Sequence, residues 1–255
     1  MTAFVFTGPS LSPVEAAETI DARFLPPVAE GDVFRATLHQ PSAIGIIDGY
    51  FERVPSVWHK EILYALSQGI PVYGAASMGA LRAAELAAFG MRGIGPIFEA
   101  FRDGRLEDDD EVTVIHGPAE LGYPSLSEAM VNIRRTLADA AAAHVVSGPT
   151  RSLLERAAKA LPYPDRTYDR VMADARADGA SAGEVDAFAR WLPAGRVDQK
   201  KEDARAMLRA MRADLERRER RTPAPFHFEH TTLWDRAMRE AAAREGIAPG
   251  RALAA

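Results

Sequence analysis

A serine set among small residues, Ala75-Ala76-Ser77-Met78-Gly79, is the most chemically loaded point of this sequence. Upstream, Pro71-Val72-Tyr73-Gly74 reads as a short β-type run; downstream, Leu81, Ala84, Leu86 and Ala88 recur at helical spacing. Ser77 therefore falls at a sharp strand-to-helix junction, where the N–H groups opening the helix can hold an anion or oxyanion. The small-x-Ser-x-Gly spacing is close to the G-x-S-x-G nucleophile elbow, with Ala75 in the first glycine's place. The same serine also suits the N-cap of its helix, because a hydroxyl there satisfies an orphan N–H. Both readings stand on sequence grounds.

In a parallel sheet, sites gather at the carboxyl ends of the strands. Four clusters are expected there: Thr7-Gly8-Pro9-Ser10, Asp48-Gly49-Tyr50, Ser77-Met78-Gly79 and His116-Gly117-Pro118. His59 and Lys60 belong to the first turn of the helix after Asp48 and should share that rim. Serine, histidine, lysine and aspartate together are the inventory of an acyl-transfer or hydrolytic site. Each has a plainer role as well. Asp48 before Gly49 can make an Asx turn, His59 can pack beside Ile62 and Leu63, and Lys60 can point to water. Arg82, a turn beyond Ser77, can grip a carboxylate bidentately or pair with Glu85 three residues on.

The elements that must position these groups alternate. Apolar runs at residues 3–7, 22–25, 43–48 and 71–74 read as strands, with helices from Pro13, over residues 32–39, over Val57–Gln68 and after Ser77. Ser12-Pro13-Val14-Glu15 carries the cap, first-turn proline and reciprocal acid of a helix start. A short helix over Ile97–Arg102, a last strand over Val112–His116 and a helix opened by Ser125-Leu126-Ser127-Glu128 complete the first part. Ser147-Gly148-Pro149 is the clearest boundary, and beyond it only helices are expected, near 151–161, 166–177, 182–191, 198–220 and 232–245. The expected fold is α/β: a Rossmann-like parallel sheet flanked by helices over residues 1–147, followed by an all-helical C-terminal part over 148–255.

Composition narrows the function. With 47% apolar and 26% charged residues the chain is a folded globular protein, and its net charge of −5 argues against general nucleic-acid binding. No apolar run approaches the roughly 20 residues that cross a bilayer, and the N-terminus lacks a basic n-region, so a cytoplasmic protein with no membrane partner is expected. The absence of cysteine removes thiolate zinc sites, cysteine nucleophiles and a protein-bound persulfide. The acidic run 108–111 lacks calcium-loop spacing and reads as a solvated turn; His227-Phe228-Glu229-His230 has no partner cluster. No metal and no cofactor are expected. The arginine-rich stretch 200–221 carries an apolar stripe, Ala204, Met207, Leu208, Met211 and Leu215, and reads as an amphipathic helix with a charged outer face.

Five segments taken in order resemble the TfuA-like family: Asp48-Gly49-Tyr50-Phe51, His59-Lys60-Glu61-Ile62-Leu63, the run from Ser77 to Glu85 (Ser-Met-Gly-Ala-Leu-Arg-Ala-Ala-Glu), Asp109-Asp110-Glu111-Val112 and Met130-Val131-Asn132-Ile133-Arg134. The resemblance is dense over about residues 1–145, and Gln199-Lys200-Lys201-Glu202-Asp203-Ala204 is similar as well. It implies partnership with a YcaO-type enzyme in thioamidation of ribosomally made peptides. The YcaO protein activates a backbone amide with ATP, and the TfuA-like protein helps deliver sulfur from a thiocarboxylated ThiS-like carrier, hydrolysing it to release sulfide. The precursor peptide is a further partner to consider, and a non-catalytic adaptor that stimulates the YcaO protein is the competing reading. On the hydrolase reading Ser77 is the nucleophile or anion-binding hydroxyl, His59 the base with Lys60 as alternative, and Asp48 the group that orients the base. Thr7, Gly8, Ser10, Gly49, Gly79, Arg82 and His116 would line the substrate cleft, Arg82 either taking the carrier's C-terminal carboxylate or structuring the cleft.

Overall fold

The structure, a computed structural model, describes residues 2–52, 54–217 and 226–244. The chain divides into two compact units, one formed by residues 1–105 with 203–255 and one by residues 106–202. The boundary expected at Ser147–Pro149 lies inside the second unit, where Ser147 caps a helix by accepting the Thr150 N–H.

The first unit is an α/β sandwich. Its elements run β1 (Ala3–Phe6), α1 (Pro13–Ala17), β2 (Ala22–Leu25), α2 (Asp32–Thr37), β3 (Ile44–Ile46), α3 (His59–Ser67), β4 (Val72–Gly74), α4 (Met78–Leu86), β5 (Arg92–Gly93) and α5 (Pro96–Arg102). All four neighbouring pairs are parallel and the order is β2-β1-β3-β4-β5. Every residue of β1, β3 and β4 is buried, as expected of strands covered on both faces, which is why they read as continuous apolar runs. Ser12 accepts the Glu15 N–H at 3.2 Å and fixes the start of α1 as its sequence predicted.

Two helices from beyond residue 196 also belong here. From Asp203 onward, α10 (Gln199–Arg217) lays Ala204, Met207, Leu208 and Met211, all fully buried, against Ala3, Val5, Ala43, Ile47 and Tyr73. The apolar stripe is thus core for the sheet. Gly45 makes this contact possible, since a Cβ there would meet Met207 Cε at 3.1 Å and Met211 Sδ at 3.3 Å. Helix α11 (Thr232–Arg244) brings Trp234, Met238, Ala241 and Ala242 onto Phe34 of α2 and Tyr64 of α3. The helix expected to run to 220 ends, among described residues, at Arg217.

The second unit is helical: α6 (Met130–Ala142), α7 (Gly148–Ala160), α8 (Tyr168–Ala177) and α9 (Ala182–Gly195) pack around Ile133, Leu137, Leu154, Val171, Val185 and Phe188. The strand expected over Val112–His116 is not formed. Residues Asp109–Glu111 wind into a 3-10 turn, and only His116 bridges, antiparallel, to Ser125. The expected capping box at Ser125 is not formed either. Ser127 Oγ instead accepts the Ile115 N–H at 2.9 Å, and α6 starts only at Met130. The acidic run is a solvated turn only in its first half, Asp108 and Asp109. Glu111 takes both guanidinium arms of Arg134 at 2.9 Å, Lys159 reaches Asp108 and Glu111 at 3.0 Å each, and the fully buried Arg166 holds Asp110 at 2.7 Å. Opposite charge satisfies Asp110 and Glu111, while Asp108 and Asp109 stay exposed to solvent.

The tightest packing in the sheet lies under the first turn of α4. A Cβ on Gly79 would sit 1.8 Å from Ile46 O, and one on Gly74 would sit 2.1 Å from Gly79 O. Neither backbone can retreat without parting α4 from β3 and β4. Gly79→Ala should therefore lower stability by at least about 3 kcal/mol. Gly148→Ala, where nothing lies within 4 Å, should stay within about 0.5 kcal/mol of the parent; denaturant melts of the two variants check the contrast.

Candidate functional site

The descent from β4 into α4 leaves only Ala75 and Ala76 between Gly74 and Ser77. The chain makes that step with a γ-turn: Ser77 N–H donates to Ala75 O at 2.8 Å, and the residue between them, Ala76, has φ = +68°. This is the left-handed region, strained for a residue with a Cβ, and such turns are rare. Ala75 and Ala76 are wholly buried in the core that faces α1 and α10. Ser77 (φ −124°, ψ −123°) takes the N-cap position, and its carbonyl accepts from Ala80 at 2.9 Å. Its side chain, however, makes no cap hydrogen bond. The capping role that competed with a chemical one at this serine is not being performed.

Several of the residues singled out at the sheet's carboxyl rim are joined to one another or to the start of α4. Asp48, at the end of β3, accepts from Ser10 N at 3.0 Å and from Ser10 Oγ at 2.6 Å, joining the loops that leave β1 and β3. These strands flank the point where the order of the sheet reverses, the usual place for a crevice in such folds. Thr7 donates its hydroxyl to Leu11 O and shapes the same loop. Gly8 is needed against Pro27, where a Cβ would meet Cγ at 2.6 Å. Gly49 is needed against Met78, the residue after Ser77, where a Cβ would meet Cγ at 2.7 Å. Gly79 N–H donates to Ile47 O at 3.3 Å and completes the join. An open cavity of about 200 Å³ lined by Phe4, Phe6, Arg23, Pro27, His39 and Tyr50 adjoins this rim through Pro27 and Tyr50 but takes in neither Ser77 nor Asp48.

His59, Lys60, Arg82 and His116 make other contacts. His59 opens α3 and sets its Nε2 2.7 Å from Glu85 Oε2 on α4. Arg82 donates to the same oxygen at 2.8 Å and, through Nε, to Val57 O at 3.1 Å. The pairing of Arg82 with Glu85 expected from their spacing is thus present, and it extends to His59. Burial pushes the Glu85 carboxyl up, but hydrogen bonds from His59 and Arg82 and the guanidinium charge outweigh it, so its pKa lies below the usual carboxylate value. Lys60 turns the other way: it donates to Thr231 Oγ1 at 3.2 Å and lies over the rings of Phe228 and Trp234 at 5.4 and 5.9 Å. His116 does not follow a strand of the sheet. It belongs to the second unit, its Nδ1 2.8 Å from Gly117 O and its ring edge-on to Tyr123. Glu85 is the residue sequence reasoning missed as a partner for His59; its spacing from Arg82 was visible, but the facing of α3 on α4 was not.

Between His59 and the sheet lies a second acid with a different task. Glu61 is fully buried and accepts from Gly31 N at 2.8 Å, Trp58 N at 3.2 Å and Phe34 N at 3.2 Å. It thereby caps the starts of α2 and α3 together. Burial raises its pKa from 4.5 to about 7, against the lowering effect of those three amides.

The arrangement defines an α/β protein with a five-stranded parallel sheet and a strand-to-helix serine next to the reversal point of the strand order. Residues 48–167 match the family model described as TfuA-like protein, which supports assigning that stretch to the TfuA-like family. The family is associated with peptide thioamidation and with YcaO partners. No curated protein matches the sequence. No helix among the described residues is long and apolar enough to cross a membrane.

The raised pKa of Glu61 has a measurable consequence. The folded state holds a proton there that the unfolded state releases above about pH 4.5, so stability falls as pH rises from 4.5 to about 7. The full effect is on the order of 3 kcal/mol. Urea melts across this window should show that slope in the wild type and lose it in Glu61→Gln.

Proposed function

We propose that this chain acts with a YcaO-type enzyme in backbone thioamidation of ribosomal peptides, hydrolysing the thiocarboxylate of a ThiS-like carrier to supply sulfide. The observation that carries the hydrolytic part is the Ser77 hydroxyl: it sits on a strained γ-turn at the head of a helix and is not used as that helix's cap. Of the amides that open α4, Gly79 donates to Ile47 O and Ala80 and Leu81 donate to Ser77 O, which leaves the Met78 N–H beside the serine to stabilise a developing oxyanion.

The chemistry balances without a cofactor of the chain's own. Ser77 Oγ attacks the carrier's thiocarboxylate carbon, the C–S bond breaks, and the sulfur leaves as hydrosulfide. The Ser77 proton passes to a base. Water then cleaves the acyl-serine ester, returning the carrier's carboxylate and the serine hydroxyl. Of the two candidate bases, His59 is favoured, because Lys60 is engaged by Thr231 and two aromatic rings. Asp48, locked to Ser10, fits a role in shaping the rim better than one in orienting His59. Thr7, Gly8, Ser10, Gly49 and Gly79 form the floor of the proposed cleft, Arg82 structures its side, and His116 has no support from the sheet. A chain without cysteine suits a route in which sulfur passes from carrier to solution without a persulfide on this protein. The reaction belongs in the cytoplasm, where precursor peptide, YcaO enzyme and carrier meet.

Purified protein should release sulfide from a thiocarboxylated ThiS-like carrier without YcaO present, and Ser77→Ala should reduce that release at least about 100-fold. Because the hydroxyl makes no cap bond, the melting temperature of the variant should move by less than the roughly 1 kcal/mol equivalent of a lost cap. Equal release by both proteins removes Ser77 from the chemistry. Release by neither supports the adaptor reading, in which the chain binds and stimulates the YcaO protein.

A further inference from the structure

We infer that Glu85 is the positioning residue of the base: anchored by Arg82, it holds the His59 imidazole with its proton on Nε2 and leaves Nδ1 as the proton acceptor. The inference rests on the hydrolase reading above and assigns to Glu85 the task the sequence had suggested for Asp48.

Three contacts form one chain. Val57 O accepts from Arg82 Nε at 3.1 Å, Arg82 Nη1 donates to Glu85 Oε2 at 2.8 Å, and the same oxygen lies 2.7 Å from His59 Nε2. Val57 stands two residues ahead of His59, so the guanidinium ties the approach to α3 and the carboxylate of α4 into one unit. The side chains of His59 and Glu85 keep 48% and 44% of their surface exposed, while Arg82 keeps 14%. The anchor is buried and the working end is open to water and substrate. A neutral imidazole has one N–H and one lone pair, and opposite an ionised carboxylate the N–H must be the nitrogen that faces it. The hydrogen bonds and charge that hold Glu85 ionised therefore also select the tautomer.

The other charged groups near His59 on α3 do not compete for this ring. Lys60 is directed to Thr231 and the Phe228 and Trp234 rings, and the Glu61 carboxylate faces the amides of Gly31, Phe34 and Trp58. Glu85 follows Ser77 by eight positions on α4, a rise of about 12 Å, and helical side chains lean toward the N-terminus. An exposed ion pair of this kind contributes little to stability, so a purely structural clasp between α3 and α4 would leave neither tautomer nor turnover sensitive to Glu85.

The test pairs a spectroscopic readout with a kinetic one on the full chain. In ¹⁵N-histidine spectra at a pH where the ring is neutral, the wild type should show His59 as the Nε2–H tautomer. Glu85→Ala should lose that preference, while Glu85→Gln, which keeps an acceptor oxygen for both donors, should retain it. With the thiocarboxylated carrier as substrate, Glu85→Ala should lower kcat roughly 100-fold at unchanged KM, and Glu85→Gln should recover most of it. A wild-type ring protonated on Nδ1, or a tautomer indifferent to Glu85→Ala, overturns the inference. So does a kcat of Glu85→Ala within twofold of wild type, which leaves the contact as a clasp. If the wild type releases no sulfide while His59 is held as Nε2–H, the hydrolase reading has failed and the positioning role falls with it; if Ser77→Ala alone abolishes release and Glu85→Ala does not, only the present inference fails.

Discussion

The first turn of α4 rests directly on the backbone of β3 and β4, and the geometry of the site follows from that contact. Two glycines permit it: a side chain on Gly79 would strike Ile46 O at 1.8 Å, and one on Gly74 would strike Gly79 O at 2.1 Å. With helix and sheet this close, two residues must turn the chain from one into the other. Ala75 and Ala76 do so through a γ-turn with positive φ, and both must be small because the core beneath α10 and α1 closes over them. Ser77 is carried to the rim by this constraint, with backbone angles that keep its hydroxyl off the cap. The same contact sets Met78 against Gly49 and so joins the loop after β3 to the serine.

Carboxylates in this protein divide by how they are satisfied. Glu61, fully buried, is held by three backbone amides, and Asp48, equally buried, by the amide and hydroxyl of Ser10. Asp110 and Glu111 are held by Arg166, Arg134 and Lys159. In each case removing a partner would leave a charge in a poor solvent, which is how such groups fix loops and helix starts. Glu85 differs: it is half exposed, shares one oxygen between an anchored arginine and a histidine, and leaves that histidine open. The distinction separates carboxylates that define the fold from one that, on the proposed reading, orients a histidine left open to solvent.

Local chemistry was legible in the sequence, and contacts across elements were not. The cap of α1 could be read from Ser12 and Glu15, and β1, β3 and β4 from their unbroken apolar runs. β5 could not, because two residues carry no periodicity. Val112-Thr113-Val114-Ile115 has strand propensity, but the acids ahead of it are pinned by Arg134, Lys159 and Arg166, and the turn they impose leaves a single bridge. Propensity lost there to ion pairing across the unit. Ser125 and Glu128 matched a capping pattern, yet Ser127 was claimed by Ile115. At the site, the serine and the rim glycines were legible from spacing alone. That His59 would meet Glu85, and that Lys60 would be drawn to α11, depended on helix facing that no local pattern encodes.

Ala76 repays comparison with the other non-glycine residues of positive φ among the described residues: Gln40, Glu52, Tyr123 and His144. Gln40, Glu52 and His144 are exposed polar residues in loops, where a neighbouring turn can relax. Tyr123 lies in the loop 117–124 of the second unit, its ring edge-on to His116. Ala76 is wholly buried between the sheet and two helices. Glycine would adopt its φ without strain, but it would also return to the turn the conformational freedom that a side chain removes. Alanine holds a Cβ in the core on one side while the γ-turn bond holds the backbone on the other. The strain, of order 1–3 kcal/mol, is thereby confined to one peptide step and cannot be shed by local motion. On the proposed hydrolase reading the confinement would serve the serine, because its hydroxyl would be presented in one orientation before substrate arrives. The small residue ahead of Ser77 then has a physical purpose in its methyl group: it converts a permissive turn into a fixed one.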